Sequence, residues 1–496
     1  MSNSDPGSKR RPTVVIVGAG ITGIALAKAC KDEGLQFTVY EKSFDLGGTW
    51  RDNVYPGIGV DSPAGSYNLP FAPKFDWSRR FAPGAEILSY LRRSAKRAGI
   101  LSSIRFNVEV LKCTWQSGEW QIRLSGNEET TADVLILATG FIRVPIVPTI
   151  EGEGRFEGPS FHSSKWDTSL DPRHKRIGII GTGSSGIQIT TALATMECDV
   201  TQFIRSPQWI NTIPNTKNGW LTRIAFRAFP NYGKRVTMRR LMHLRQQDPK
   251  LGTMDWRLNP GVAREAATAA FWAELERIKD PELRQKMTPT DIPGCRRVPM
   301  SEGYYDAIQR PNVRIVRENI AGIEKDGVVL EDGSLCPLDV LIYATGFETH
   351  AYFKPMEVFG VGPEGLGDMW KSGPFSYRTM MVPGFPNLFV MHGPYAPVNN
   401  ISTPISIDHQ TGFVMRALDF IESHGAISPT KEATERHLSW VRGALNDTTY
   451  TAGCNSWFTA ADGYQLLWPF GQEQHTGMFA VIEPNDYEVT WSPIGP

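Results

Sequence analysis

Short, wholly apolar runs punctuate this chain, each closed by glycine or proline. The first, VVIV at Val14–Val17, lies between Pro12 and Gly18. A run with no polar alternation is the pattern of a parallel strand covered on both faces. GAGITG follows at Gly18 to Gly23, and ITGIALAKACKDEG then has the spacing of a helix. A second apolar run, 37–40, ends on Glu41. Strand, glycine turn, helix and strand with a terminal acid is the context in which G-x-G-x-x-G binds a dinucleotide. The pattern returns: Arg176–Ile180 leads into GTGSSG at Gly181 to Gly186, then the helix-like IQITTALATM and the strand-like DVTQFIR, ending at Arg205.

A second repeat accompanies the first. DVLILATGF (133–141) places Gly140 122 residues after Gly18, and DVLIYATGF (339–347) places Gly346 165 residues after Gly181. These patterns predict an α/β chain with two Rossmann-like dinucleotide-binding domains, the longer spacing marking an insertion in the second. Residues 213–290 carry Ala, Leu and Arg at helical spacing in LTRIAFRAFPNYGKRVTMRRLMHLRQQD and GVAREAATAAFWAELERI, which predicts a helical insertion. Beyond residue 347, Gly, Pro and aromatics predict loops returning to the first domain, followed by a helix over about 405–422. The expected division is 1–150 for the first domain and 151–212 for a linker and the start of the second. Residues 213–290 form the insertion, 291–340 the rest of the second domain, and 341–496 the return with its C-terminal loops.

Composition adds limits. With 496 residues the chain is long enough for two or three cores. Lys plus Arg and Asp plus Glu both number 52, so net charge gives no reason to expect nucleic acid or an anionic membrane. No apolar run is long enough for a membrane span. The N-terminal MSNSDPGSKRRP does not read as a signal peptide. Cys30, Cys113, Cys198, Cys295, Cys336 and Cys454 are scattered without a C-x-x-C pair, which reads as separate thiols in a reducing, cytoplasmic compartment. The histidines show no metal-ligand spacing, so no metal site is expected. Oligomeric state is not legible.

Charge at the strand ends separates the two nucleotide sites. Glu41 lies 23 residues after Gly18, where a carboxylate accepts from ribose hydroxyls and repels a 2′-phosphate. Gly18, Gly20 and Gly23 let backbone approach a pyrophosphate at a helix N-terminus. This module suits FAD or NAD. Arg205 lies 24 residues after Gly181, where its guanidinium pairs with a 2′-phosphate; Ser206 is a further donor. Over Gly181, Gly183 and Gly186 this favours NADPH. Two such sites imply a flavoprotein reduced by a pyridine nucleotide. Without a dithiol beside the first module, oxygen is the expected electron acceptor.

FEGPSFHSSKWD (156–167) resembles the fingerprint of type I Baeyer–Villiger monooxygenases, F-x-G-x-x-x-H-x-x-x-W-P/D, through Phe156, Gly158, His162, Trp166 and Asp167. GGTWRDNVYPG (47–57) is similar to the family's block across the flavin, which assigns Gly48, Thr49, Trp50, Asn53 and Tyr55 to cofactor binding and matches Asp61 to an active-site aspartate. GCRRVPMSEGYYDAI resembles the segment with the catalytic arginine. Aligned on Gly294 and Tyr304–Tyr305, that arginine is Arg297, and Arg296 meets the NADP phosphate; a slide of one residue exchanges them. CNSWFTAADGYQLLWPFG is similar to the late substrate and cofactor loop, where Trp457 closes over NADP. Val60 departs from the family, standing where cysteine is often found.

The resemblance implies FAD, NADPH and O2 converting a ketone to an ester or lactone through a C4a-peroxyflavin anion. Arg297 would stabilise that anion and Asp61 would hold the guanidinium. His162 reads either as a satisfied structural histidine or as a coupling between NADP binding and domain position. Two other readings remain open at this point: an N-hydroxylating or sulfide-oxidising flavin monooxygenase, and a non-catalytic nucleotide-binding redox protein.

Overall fold

The computed structural model describes residues 10–247, 261–398, 400–454 and 456–490. Most of the N-terminal segment read for a signal peptide, residues 1–9, lies outside them. Two five-stranded, all-parallel sheets carry the architecture. The first runs in the order Leu388–Val390, Val134–Leu137, Val14–Val17, Phe37–Glu41, Ile104–Phe106. The second runs Val313–Val316, Asp199–Phe203, Arg176–Ile180, Val340–Tyr343, Ser160–His162. In both, the glycine-turn strand is central. The DVLI strand lies on one side of it and the strand with the terminal charge on the other. Val14–Val17, Val134–Leu137 and Val340–Tyr343 are buried at every position, as runs without alternation require.

The repeated aspartates have a structural reason. Asp133 Oδ2 accepts from the Thr13 N–H (2.7 Å), and Asp339 Oδ2 accepts from the Arg176 N–H (2.8 Å). Each carboxylate ties the DVLI strand to the start of its central neighbour. Asp199–Phe203 stops short of the expected strand, so Arg205 lies in the loop beyond the sheet edge. Helix Ser184–Leu193 likewise ends before Met196.

Between the strands Asp199–Phe203 and Val313–Val316 stand the helices Trp220–Ala228, Pro230–Gln247, Val262–Leu275 and Pro281–Met287. After residue 347 the chain returns to the first sheet through Leu388–Val390, and a helix covers Thr403–His424. That helix packs on Ile21–Asp32 and contributes Ile407, Phe413, Val414, Ala417 and Leu418 to the first core.

The cysteines require a correction. Cys295 and Cys454, expected as separate thiols, form a disulfide, with Cα atoms 6.1 Å apart across 159 residues of sequence. Spacing along the chain carries no trace of this, because the exit of the helical insertion meets the C-terminal segment only after folding. The argument for a reducing compartment from isolated cysteines therefore fails. Cys30, Cys113, Cys198 and Cys336 are free and buried.

Candidate active site

The first glycine turn is held by geometry that a side chain would break. Gly18 has φ +104°, and a Cβ there would lie 2.7 Å from the Ala138 carbonyl oxygen. Helix Ile21–Asp32 follows directly, with its N-terminus at the carboxyl edge of the sheet. Gly23 packs against Gly18, where a Cβ would strike the Gly18 oxygen. Glu41 is buried; its carboxylate accepts from the Ala19 N–H (2.8 Å) and the Ser43 N–H (3.0 Å), and Arg51 pairs with it at 3.1 Å. The acid nominated for a ribose therefore also pins the glycine turn.

Gly20 and Gly48 face each other without side chains: a Cβ on Gly48 would stand 3.2 Å from the Gly20 Cα. This glycine-walled cleft at a helix N-terminus, beside a buried carboxylate with acceptor capacity left, fits FAD. His392, just past Leu388–Val390 in the same sheet, is buried with neither ring nitrogen bonded, and burial pushes its pKa down to about 4.

The block 47–57 leaves the first module and reaches the second. Trp50 donates its indole N–H to the Tyr67 hydroxyl (3.0 Å), and Asn53 donates to the Thr49 carbonyl (2.9 Å). Tyr55 donates to Gln188 Oε1 (3.0 Å) on helix Ser184–Leu193 and lies 3.2 Å from the Ser185 hydroxyl. Burial raises the Tyr55 pKa to about 12, so it stays a neutral hydroxyl at ordinary pH. Gln188 in turn donates to the Gly59 carbonyl (3.1 Å).

Two residues further on, Asp61 meets Arg297. Arg297 donates Nη2–H to Asp61 Oδ2 and Nη1–H to the Ser184 hydroxyl at 2.9 Å. Asp61 comes from the first module, Ser184 opens the helix after GTG, and Arg297 follows the helical insertion. Both members of the pair are partly exposed, with side chains 33% and 23% accessible for Arg297 and Asp61, so the cation is held and still reachable. Arg296 points elsewhere. It grips Asp291 with Nε (2.8 Å) and Nη2 (2.7 Å) and donates to the Pro207 carbonyl (2.9 Å). Of the two neighbouring arginines, it is Arg297 that faces Asp61.

In the second module, Gly181 has φ +122°, and a Cβ would come within 2.3 Å of the Ala344 oxygen. Gly186 packs on Gly181 as Gly23 does on Gly18. Arg205 is exposed beyond the strand, and Thr182 donates to the Ser206 carbonyl at 2.9 Å. With Arg296 on Pro207, Arg205, Ser206 and Arg296 gather about one loop, where the exposed Arg205 guanidinium suits a phosphate and Arg296 is paired with Asp291. The Trp457 indole lies against Gly183 and Gly346, where a Cβ would approach it to 3.0 and 2.9 Å.

The fingerprint 156–167 is an edge of the second sheet through Ser160–His162. His162 is buried. Its Nδ1 accepts from the Ser164 N–H (3.1 Å), which leaves Nε2–H to donate to the Gly346 carbonyl (3.0 Å). Burial lowers its pKa, with the Gly346 carbonyl opposing. A Cβ at Gly158 would lie 2.4 Å from the Asp339 oxygen, Phe156 packs near it, and Trp166 stands edge-on to Phe161 at 5.4 Å. Asp167 is exposed and caps Ser169.

Sequence reasoning missed Ser184, Gln188, Asp291, Arg51 and His392. Ser184 sits within GTGSSG and was readable only as a turn residue. Asp291 precedes Arg296 by five residues, which no motif marks.

Comparison with known proteins agrees with this geometry. Residues 11–232 match the flavin-binding monooxygenase-like family. The chain is 38% identical to an uncharacterised monooxygenase of Mycobacterium tuberculosis, over 97% of this chain and 96% of that one. It is 32% identical to a Baeyer–Villiger monooxygenase of Streptomyces coelicolor, over 92% of this chain and 88% of the relative. The chain belongs to the type I Baeyer–Villiger monooxygenase family. Among solved structures, cyclohexanone monooxygenase from Rhodococcus sp. Phi1 bound to NADP+ matches with a TM-score of 0.83 at 28% identity, over 95% of this chain and 97% of that one. Oxidized steroid monooxygenase bound to NADP matches with a TM-score of 0.84 at 26% identity, over 94% and 97%.

Proposed function

We propose that this enzyme is an FAD-containing, NADPH-dependent Baeyer–Villiger monooxygenase that inserts one oxygen atom of O2 beside a ketone carbonyl, giving an ester or lactone. The observation that carries the reading is the Asp61–Arg297–Ser184 arrangement, a cation fixed between the two nucleotide modules. FAD held by the first module would supply hydride-accepting and oxygen-activating chemistry, with NADPH on the second module as the hydride donor.

The chain's own residues do the rest. Gly18, Gly20, Gly23 and Gly48 admit the flavin pyrophosphate, and Glu41 orients its ribose. Gly181, Gly183 and Gly186 do the same for NADPH, with Arg205, Ser206 and Arg296 at the 2′-phosphate and Trp457 covering the glycines. Arg297 supplies a positive charge where negative charge develops on the reacting oxygens. Asp61 and Ser184 set that charge in position beforehand, so little reorganisation is needed during reaction. His162, donating to Gly346, acts as a positioning residue that ties the fingerprint strand to the turn after Val340–Tyr343.

NADPH consumption over a ketone panel, with mass detection of products one oxygen heavier, tests the reaction. Arg297→Ala is expected to keep FAD and continue to oxidise NADPH while losing ester formation. Arg297→Lys recovers little, since an ammonium lacks the fork that spans Asp61 and Ser184. Ester formation at the parent rate in Arg297→Ala sinks the assignment.

A further inference from the structure

The helices Trp220–Ala228 and Pro230–Gln247 carry a pattern that the reaction does not use. Between Ile213 and Gln247 there are eight Lys or Arg residues and no Asp or Glu, although the whole chain is balanced. Their inner side packs on the enzyme: Gly233 sits between Phe226 and Phe75, and Thr237 and Leu241 reach Gly65. The outer side is apolar and basic together. Tyr232, Arg235, Arg239 and Met242 fall at i, i+3, i+7 and i+10, one face of a helix. On the preceding helix and the turn after it, Trp220 is 70% exposed, Leu221 63%, Ile224 56% and Phe229 66%. Arg223 and Arg227 are anchored inward to Glu86 and Asp76. Lys234, Arg235 and Arg239 are exposed and form no ion pair among the described residues.

We propose that this face docks the enzyme on an anionic lipid bilayer. Trp, Phe, Leu and Ile side chains beside Lys and Arg suit the boundary between headgroups and acyl chains. The apolar side chains enter the boundary and the cations meet lipid phosphates. Charge complementarity selects this occupant: in a two-fold contact between copies of the chain, the face would meet its own positive charge. Attachment is peripheral, as no helix among the described residues is long and apolar enough to cross a membrane.

The test is co-sedimentation of the full-length, FAD-loaded enzyme with vesicles of phosphatidylcholine alone and of an equimolar phosphatidylcholine–phosphatidylglycerol mixture. Binding is expected to the mixed vesicles only, weakened by high salt. Two variants probe the two halves of the face. One combines Trp220→Ser, Leu221→Ser, Ile224→Ser and Phe229→Ser; the other combines Arg235→Glu and Arg239→Glu. Each is expected to weaken binding at least about tenfold while retaining FAD and NADPH oxidation. Absence of parent binding overturns the proposal, as does unaltered binding by both variants. Concentration-dependent self-association abolished by the serine variant would assign the face to a second copy instead. Equal binding to polyglutamate, insensitive to the serine changes, would assign it to an acidic polypeptide.

Discussion

Arg297 and Arg296 are chain neighbours with opposite surroundings. Arg297 reaches Asp61 and Ser184; Arg296 closes on Asp291 and stays beside the loop that follows Arg205. One cation is presented at the junction of the modules, and the other is neutralised by a carboxylate while flanking the proposed phosphate pocket. Arg205 is the exposed cation of that pocket, so its removal gives a clean readout of nicotinamide choice. Arg205→Ala is expected to lower kcat/KM for NADPH by about 10- to 100-fold, the loss of a charge-assisted bond of about 1.5–3 kcal/mol, and to leave NADH nearly unchanged. Steady-state kinetics with both nucleotides decide it, and equal losses would remove Arg205 from the phosphate site.

At the scale of elements, helix Ser184–Leu193 is the common support. Its first residue holds Arg297, and Ser185 and Gln188 meet Tyr55. Gly57 lies against the same helix with φ +86°, and a Cβ would come within 2.6 Å of the Gln188 carbonyl oxygen. Gly57→Ala is therefore expected to cost about 1–3 kcal/mol and to lower ester kcat while FAD stays bound. Thermal unfolding and turnover measured together check this; unchanged values would show that the block 47–57 is not braced by the helix.

The disulfide joins two other elements, the segment entering Arg296–Arg297 and the segment that carries Trp457. It closes a long loop in the unfolded chain, and its loss is expected to cost about 2–4 kcal/mol. Cys454→Ser should match the reduced parent in thermal stability and show no further response to dithiothreitol. A parent enzyme indifferent to reductant would argue against the bond in solution.

For the molecule as a whole, acid stability follows from buried histidines. Burial lowers His437 and His475 to about 3 and His392 to about 4; Arg378 adds to the shift of His437, and His409 and His392 add to that of His475. These rings stay neutral in the fold, whereas in the unfolded chain they take up protons below about pH 6.5. The unfolded state then binds more protons, so stability is full above that pH and falls as pH drops toward the folded values. Each histidine contributes roughly 1.4 kcal/mol per pH unit within that window. Asp339, held at about 2 by Arg176, titrates below it. Urea unfolding midpoints between pH 7 and pH 5 are expected to fall steadily, and a flat profile would place these rings in contact with water.

Local pattern determined much of this protein. The buried strands, the glycine turns and the terminal charges at Glu41 and Arg205 all lie within short stretches, where periodicity and residue chemistry speak directly. The repeated DVLI segments marked two related sheets, though not why each begins with aspartate. Partner choice across the chain was another matter. Asp61 and Arg297 are 236 residues apart, and only packing decided that Arg297 rather than Arg296 turns toward the aspartate. The Cys295–Cys454 bond and the unbonded ring of His392 were likewise invisible. Helical spacing in 220–247 gave the period, but not which side the protein would cover. A sequence encodes what each segment can become; which side chains meet depends on how the segments come together in space.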